Sequence, residues 1–281
     1  MSDEETRQAA RYDEIAGGYA RWWAPVLAPS ASALLERLDP TVGGSARDVL
    51  DVGVGTGNLA LPALERWPDV HVTGIDASSE MLEAALAFAR AKPEQAAARF
   101  TGRVAFAAEL PFEDQAFDVA MSSFVLQLVP SRPKALREIR RVLRPGGTLA
   151  YVTWLTDRTP FPPDRIFDAL LLEAGFSEEG EDSDSRQGDL PSVATAAGEL
   201  RRAGFRAVAA EAAALSHVFT VSSYIAFLTE FDEVALFEDE MTRSERRRFL
   251  ATLRERLMAL PEDDLVFRAP IVYASGIRSD G

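Results

Sequence analysis

At 281 residues, 47% of them hydrophobic and 26% charged, the chain has the composition of a soluble globular protein and the length to bury a core without staples. It contains no cysteine, which excludes disulfides, thiolate catalysis and cysteine metal sites, and its formal net charge of −14 repels the phosphate backbone of DNA or RNA. The polar start Met1-Ser2-Asp3-Glu4-Glu5 lacks a leader pattern, and no apolar run approaches the ~18 residues of a membrane span. A cytoplasmic protein with neither a nucleic-acid nor a membrane partner is expected.

Residues 1–46 read as a helical cover carrying Tyr12, Tyr19, Trp22 and Trp23. The run 48–52 is short and β-prone, is punctuated by Gly53, Gly55 and Gly57, and leads into a helix over 58–66. A second strand over 71–75 is closed by Asp76. Ser78, Ser79 and Glu80 then supply the capping signal for an alanine-rich helix over 81–90. A third strand is expected at 104–107 and a fourth at 117–122. A helix over 132–143 halts at the turn Arg144-Pro145-Gly146-Gly147, and the alternating run 148–154 is a fifth strand. Strand and helix at this spacing predict a Rossmann-like α/β fold, a mostly parallel sheet with helices on both faces.

The second half is less regular. Residues 156–192 are rich in proline and contain a run of serine, glycine and acids over 177–189, a composition that predicts a lid-like loop. A helix over 193–203 leads through Gly204-Phe205 into a strand near 208–215. Residues 222–260 predict two helices, the second with one apolar face at Phe249, Leu250, Leu253, Leu257 and Leu260. The basic cluster Arg243, Arg246, Arg247 and Arg248 is broken by Glu245 and reads as a solvated helix face. A last strand over 265–277 carries Pro270, which suggests a sheet edge or a bulge. The sum is one domain with seven strands: a cover over 1–46, a core over 47–155, a loop over 156–192, and C-terminal strands with a helical insertion over about 222–260.

The chemistry is concentrated in Val49-Leu50-Asp51-Val52-Gly53-Val54-Gly55-Thr56-Gly57-Asn58, which ends a strand, opens a helix and places glycine at every second position. Glycine lets the backbone turn tightly and come within reach of a ligand, and N–H groups at the following helix start are open to polar ligand atoms. Any tight strand-to-helix turn also accounts for such glycines. The spacing is G-x-G-x-G rather than the G-x-G-x-x-G of dinucleotide binders, and Asp76 ends the next strand, where a carboxylate accepts ribose hydroxyls.

Four segments together resemble the class I S-adenosylmethionine-dependent methyltransferases, in the ubiquinone/menaquinone-biosynthesis-like branch. They are Asp51-x-Gly53-x-Gly55-x-Gly57, the stretch from Gly74-Ile75-Asp76 to Met81-Leu82, Leu110-Pro111-Phe112-Glu113-Asp114-Gln115-Ala116-Phe117-Asp118, and Leu143-Arg144-Pro145-Gly146-Gly147. The resemblance implies methyl transfer from S-adenosylmethionine, without a metal, to a small-molecule acceptor. It implies that Gly53, Gly55 and Gly57 admit the cofactor, that Asp51 favours its ammonium group, and that Asp76 takes the ribose. Ala77 and Met81 would flank the adenine, Ser122 would offer its carbonyl to the methionine end, and Tyr12 and Tyr19 would lie in the cover. Where many members carry an acid before Leu-Pro-Phe this chain has Phe106, so backbone at Ala107 and Ala108 is expected to meet the adenine.

For catalysis the candidates are few. His71 alternates with Val70 and Val72 and reads as structural. His217, expected after the sixth strand, is a candidate base, and Gln127 is a candidate to face the acceptor. After the fourth strand the chain reads Ser122-Ser123-Phe124-Val125, without the Asn/Asp-Pro-Pro-aromatic turn of nucleic-acid amino methylation. Tyr224, Phe227, Leu228, Phe231, Leu236 and Phe237 fit either a hydrophobic lid or ordinary helix packing. A homodimer is compatible with the sequence. The competing readings are a cofactor-binding partner protein without catalysis and a nicotinamide-dependent oxidoreductase.

Overall fold

The computed structural model describes residues 3–43, 46–156, 160–176 and 188–279. The chain groups into two compact units, one made of Met1–Thr156, Ser185–Ala213 and Pro270–Gly281, the other of Asp157–Asp184 and Ala214–Ala269. No helix among the described residues is long and apolar enough to cross a membrane.

The sheet has the strands β1 Asp48–Val52, β2 His71–Asp76, β3 Phe100–Val104, β4 Phe117–Ser123, β5 Leu143–Trp154, β6 Phe205–Val218 and β7 Val266–Arg278; it belongs to the first unit except for the end of β6 from Ala214 and the start of β7 up to Ala269, which group with the second. Their order is β3-β2-β1-β4-β5-β7-β6. The pairs β1–β2, β1–β4, β2–β3 and β4–β5 are parallel, and β5–β7 is antiparallel, as a mostly parallel Rossmann-like sheet requires. Val49, Leu50 and Val52 of β1 are fully buried, which follows from a central parallel strand covered on both faces. The cover consists of α1 Asp3–Gly18, a π-helical turn Tyr19–Trp23 and α2 Ala24–Val42. Between strands run α3 Ala60–Arg66, α4 Ser79–Arg90, the short α5 Glu94–Ala97 and α6 Arg132–Val142, and α8 Val193–Arg202 precedes β6.

Several boundaries differ from the sequence expectation, each for a physical reason. The third strand occupies 100–104 rather than 104–107. It is an edge strand with only Phe100 buried, so backbone pairing to Val72–Asp76 defines it and no apolar alternation marks it. The α3 helix starts at Ala60 rather than at 58, because residues 55–59 are spent on the turn and the Asp51 carboxylate accepts the Ala60 N–H at 3.0 Å. The Arg144–Gly147 turn lies inside β5. Phe117 pairs with Leu143 and Val119 with Thr148, so these residues bulge out of a continuous strand. Nor is β7 an edge strand. Pro270 stands one residue beyond the last β5–β7 rung, Trp154–Ile271, where a missing N–H is harmless, and its carbonyl accepts the Leu155 N–H at 3.0 Å.

The second unit contains α7 Pro162–Ala174, α9 Val221–Phe227, two π-helical turns (Leu228–Asp232 and Leu236–Glu240) and α10 Arg243–Met258. The α7 helix corrects the expectation of a loop through 156–192. Its prolines occupy the first turn, where no N–H is needed, and Gly175 ends it in the left-handed region at φ +85°. Residues 177–187 of the acidic run lie outside the described residues. Tyr224, Phe227, Leu228 and Phe237 are buried in this unit, where Phe161, Phe219 and Tyr224 pack ring to ring and the Tyr224 hydroxyl donates to Asp164 at 2.7 Å. Phe249, Leu253 and Leu257 form the buried face of α10, with Leu250 and Leu260 half-buried.

Ser78 joins two parts of the first unit. Fully buried at the N-cap of α4, its hydroxyl accepts from the Met81 N–H at 3.0 Å and donates to Asp13 of α1 at 2.6 Å. Ser78→Ala is expected to cost about 1–2 kcal/mol, the scale of a lost N-cap. Urea denaturation measures it, and an unchanged midpoint would remove this capping role.

Candidate functional site

The loop after β1 is tied to the end of β2. The N–H groups of Gly53 and Val54 both donate to the Ile75 carbonyl, at 2.9 and 2.8 Å, and the Gly55 N–H donates to the Asp76 carboxylate at 2.8 Å. Its glycines serve different needs. Gly53 has φ +73°, and a Cβ there would meet the Val125 side chain at 2.3 Å, so this position is closed by protein. Gly55 has φ +53° and nothing within 4 Å of where a Cβ would sit, so its bare backbone faces open space in a cavity. Gly57, at φ +99°, packs on Leu61 and is not among the residues that line the cavity.

Two carboxylates stand at the ends of the neighbouring strands β1 and β2, Asp51 one residue before the last of β1 and Asp76 as the last of β2. Asp51 is 1% exposed; one of its oxygens accepts from Ala60, and the other, Oδ1, is buried without a hydrogen-bond partner. Burial pushes its carboxyl well above the usual range, and the negative charge of Asp76 pushes the same way. Asp76 is partly buried and lines the same cavity. Burial raises its pKa too, against the backbone N–H donors of Ser78, Gly55 and Ala77.

The cover and the far wall complete the cavity. One face of α1 contributes Glu5, Gln8, Ala9 and Tyr12, and the π-helical turn contributes Tyr19. Asp13 fastens α1 to the start of α4 by accepting from the Ser78 hydroxyl at 2.6 Å and the Glu80 N–H at 3.1 Å, bonds that hold its carboxyl below the usual range. Tyr12 and Tyr19 meet edge to face, with centroids 6.2 Å apart. Burial pushes the Tyr12 phenol up to about 12 and raises Tyr19 further, so both are neutral hydrogen-bond donors at neutral pH. Ser123, Phe124, Val125, Leu128, Val129 and Pro130, which follow or end β4, form the opposite wall.

Of the residues singled out from the sequence, Tyr12, Tyr19, Asp51, Gly53, Gly55, Asp76, Ala77, Met81 and Ala107 line this one cavity. Gly57, Ala108 and Ser122 do not. Ala108 is buried, and Ser122 turns its hydroxyl to the Val52 carbonyl at 2.8 Å, leaving Ser123 and Phe124 at the surface of the cavity. Gln127 does not face the cavity either. It is 7% exposed, and its amide is spent on the Phe124 carbonyl (2.7 Å) and the Thr153 hydroxyl (2.6 Å). His217 lies within β6 rather than after it, in the second unit. Its ring stands 4.6 Å from that of Phe219, and burial lowers its pKa. His71 is exposed at the start of β2. Glu5, Gln8 and Ala9 went unread in the sequence, although with Tyr12 they fall at helical spacings of three and four. The wall at Leu128–Pro130 carried no motif.

Residues 49–147 match the methyltransferase domain family. The chain is 32% identical over 214 residues to the ubiquinone/menaquinone biosynthesis C-methyltransferase UbiE of Paracoccus denitrificans, an alignment covering 71% of this chain and 80% of that protein. It is 38% identical over 120 residues to the enzyme of the same name from a Geobacter species, covering 42% of this chain and 50% of the relative. The chain thus spans about half the length of most of the curated relatives it matches. A solved structure of Haemonchus contortus phosphoethanolamine N-methyltransferase 2, in complex with phosphomonomethylethanolamine and S-adenosylhomocysteine, superposes with a TM-score of 0.56 at 20% identity, covering 90% of this chain and 53% of that one. At that identity the superposition speaks for the fold alone. With the glycine loop, Asp51 and Asp76 gathered at one cavity and a relative matched over most of its length, the chain belongs to the class I S-adenosylmethionine-dependent methyltransferases of the ubiquinone/menaquinone C-methyltransferase type.

Proposed function

We propose that this cavity binds S-adenosylmethionine and that the protein transfers its methyl group to an apolar small-molecule acceptor. The observation that carries the proposal is the buried, unpartnered Oδ1 of Asp51 on the cavity wall. A buried polar atom left unpaired is costly, and a carboxylate oxygen is best satisfied by a cationic donor such as the ammonium of an amino acid. Beside it, Gly55 leaves room for a ligand to lie against bare backbone, and Asp76 stands at the end of the next strand, placed for a ribose diol. These features fit the methionine and nucleoside portions of the cofactor. The names of the relatives, a quinone C-methyltransferase and a phosphoethanolamine N-methyltransferase, support a small acceptor.

When bound, the cofactor supplies a methyl group already activated by the sulfonium charge. The chain's task is to hold nucleophile and methyl carbon in line and to keep water out, an arrangement worth up to ~7–11 kcal/mol in favourable systems. The cover suits that task, since Tyr12 and Tyr19 close the cavity as neutral rings pinned through Asp13. Among the described lining residues the titratable groups are Glu5, Tyr12, Tyr19, Asp51 and Asp76, with no histidine, lysine or arginine. Catalysis is therefore read as positional, with an acceptor nucleophilic in its own right.

Titration calorimetry with S-adenosylhomocysteine and NADH tests the cofactor. The expected result is binding of the first only, weakened about ten- to a hundredfold in Asp76→Ala, the ~1.5–3 kcal/mol of a lost charge-assisted hydrogen bond. Tighter binding of NADH would overturn the proposal.

The raised pKa of Asp51 gives a second test with a definite sign. A carboxyl whose pKa is higher in the folded than in the unfolded chain makes the folded state bind more protons, so stability falls as pH rises from the unfolded value near ~3.9 through the raised folded value. Asp51→Asn removes that loss, so the ligand-free variant is expected to melt higher than the parent at pH 7 while binding S-adenosylhomocysteine at least about tenfold more weakly. Thermal melts with and without ligand read both effects. A variant that melts lower and binds normally would contradict this role for Asp51.

A further inference from the structure

The wall after β4 is held in an unusual backbone state. Phe124 has φ +55°, in the left-handed region that an aromatic residue rarely adopts, and it is one of three non-glycine residues with positive φ among those described. It lines the cavity, is 5% exposed, and its ring centroid lies 4.3 Å from that of Trp154. Such a conformation persists only where neighbours over-determine it, and here the bonds that do so are identifiable. The Phe124 N–H donates to the Val152 carbonyl of β5 at 2.9 Å, and the Phe124 carbonyl accepts from the Gln127 amide at 2.7 Å. The other end of that amide accepts from the hydroxyl of Thr153, which is fully buried in β5, at 2.6 Å. Gly188 closes the rear, because a Cβ there would stand 1.6 Å from the Gln127 carbonyl oxygen. The Gln127 amide is thus a strut between the turn and the sheet, with both of its polar ends matched.

We infer that Gln127 and Thr153 are positioning residues that fix the Phe124 turn, and through it the shape of the acceptor side of the cavity. The assignment of that side rests on the cofactor reading above and on strand order. Because β2, β1 and β4 lie side by side, Asp76, Asp51 and the Phe124–Pro130 wall follow one another across the sheet, and the wall lies beyond the carboxylates assigned to the cofactor. Its side chains Phe124, Val125, Leu128, Val129 and Pro130 are apolar and offer a surface for a flat hydrophobic ring. Loss of the strut frees the turn to relax without touching Asp51, Gly55 or Asp76. Binding at the two ends of the cavity is then separable, which a general loss of stability does not produce.

The test uses the full chain with two probes, S-adenosylhomocysteine for the cofactor end and 1-naphthol for the wall, the latter titrated into protein saturated with the former. Thr153→Val is nearly isosteric and replaces the hydroxyl with a methyl group; Thr153→Ser keeps the hydroxyl. Thr153→Val is expected to bind S-adenosylhomocysteine within about twofold of the parent and 1-naphthol at least about tenfold more weakly, with Thr153→Ser restoring parent affinity. Gln127→Leu is expected to repeat the Thr153→Val pattern. Equal 1-naphthol affinity in parent and Thr153→Val, a proportionate loss of both probes, or no 1-naphthol binding by the parent would overturn the inference. Failure of the cofactor reading has its own signature: a parent that binds 1-naphthol but not S-adenosylhomocysteine, with the affinity for 1-naphthol still dependent on Thr153, refutes that reading and leaves the strut standing. A parent that binds neither refutes both.

Discussion

A carboxylate removed from water with one oxygen unpaired is the constraint around which the first unit is organised. Asp51 lies next to the end of the interior strand β1, and its satisfied oxygen accepts the first N–H of α3, so strand, glycine turn and helix are joined through one side chain. The same residue shares the cavity with Asp76, whose negative charge adds to burial in making Asp51 costly to charge, while burial and the charge of Asp13 act the same way on Asp76. The other polar groups around the loop are paired: Gly53, Val54 and Gly55 each have their N–H satisfied by β2 or its terminal carboxylate. The unpaired oxygen of Asp51 is what the proposed ammonium contact would satisfy.

The legible parts of the sequence were those where local chemistry and tertiary role coincide. Asp48–Val52 is buried on both faces and punctuated by glycine, so pattern and structure agree to the residue. Ser78 caps a helix by purely local bonds, and that signal is carried by three adjacent residues. The third strand is displaced from its expected position because edge strands need no apolar alternation, and Pro162 and Pro163, whose composition suggests a loop, start α7. At the site, Asp51, Gly53, Gly55, Asp76, Ala77 and Met81 of the motif segments line the cavity while Gly57 of the same glycine motif does not, and neither do Gln127 and His217, chosen for chemical type alone. Gln127 is consumed by Phe124 and Thr153, and His217 lies at the end of β6 that groups with the second unit. The α1 face was missed because polar Glu5 and Gln8 interrupt what would otherwise read as an apolar stripe.

On the assignment proposed above, the wall after β4 faces the acceptor and the glycine loop holds the cofactor. The glycine loop and its carboxylates are held by β1 and β2, whereas the Phe124 turn is held by β5 through Val152 and Thr153. Two sets of bonds on different strands secure two parts of one cavity. On that assignment, substitution at the Phe124 turn leaves the hydrogen bonds of the glycine loop intact.

The most direct measurement is a crystal structure of the protein grown with saturating S-adenosylhomocysteine. The ligand's amino group is predicted to lie within hydrogen-bond distance of Asp51 Oδ1, with its ribose hydroxyls on Asp76 and its chain passing over Gly55. Density for the ligand elsewhere, or an Asp51 Oδ1 still without a partner in a ligand-bound cavity, would contradict the role assigned to that carboxylate and with it the proposed chemistry.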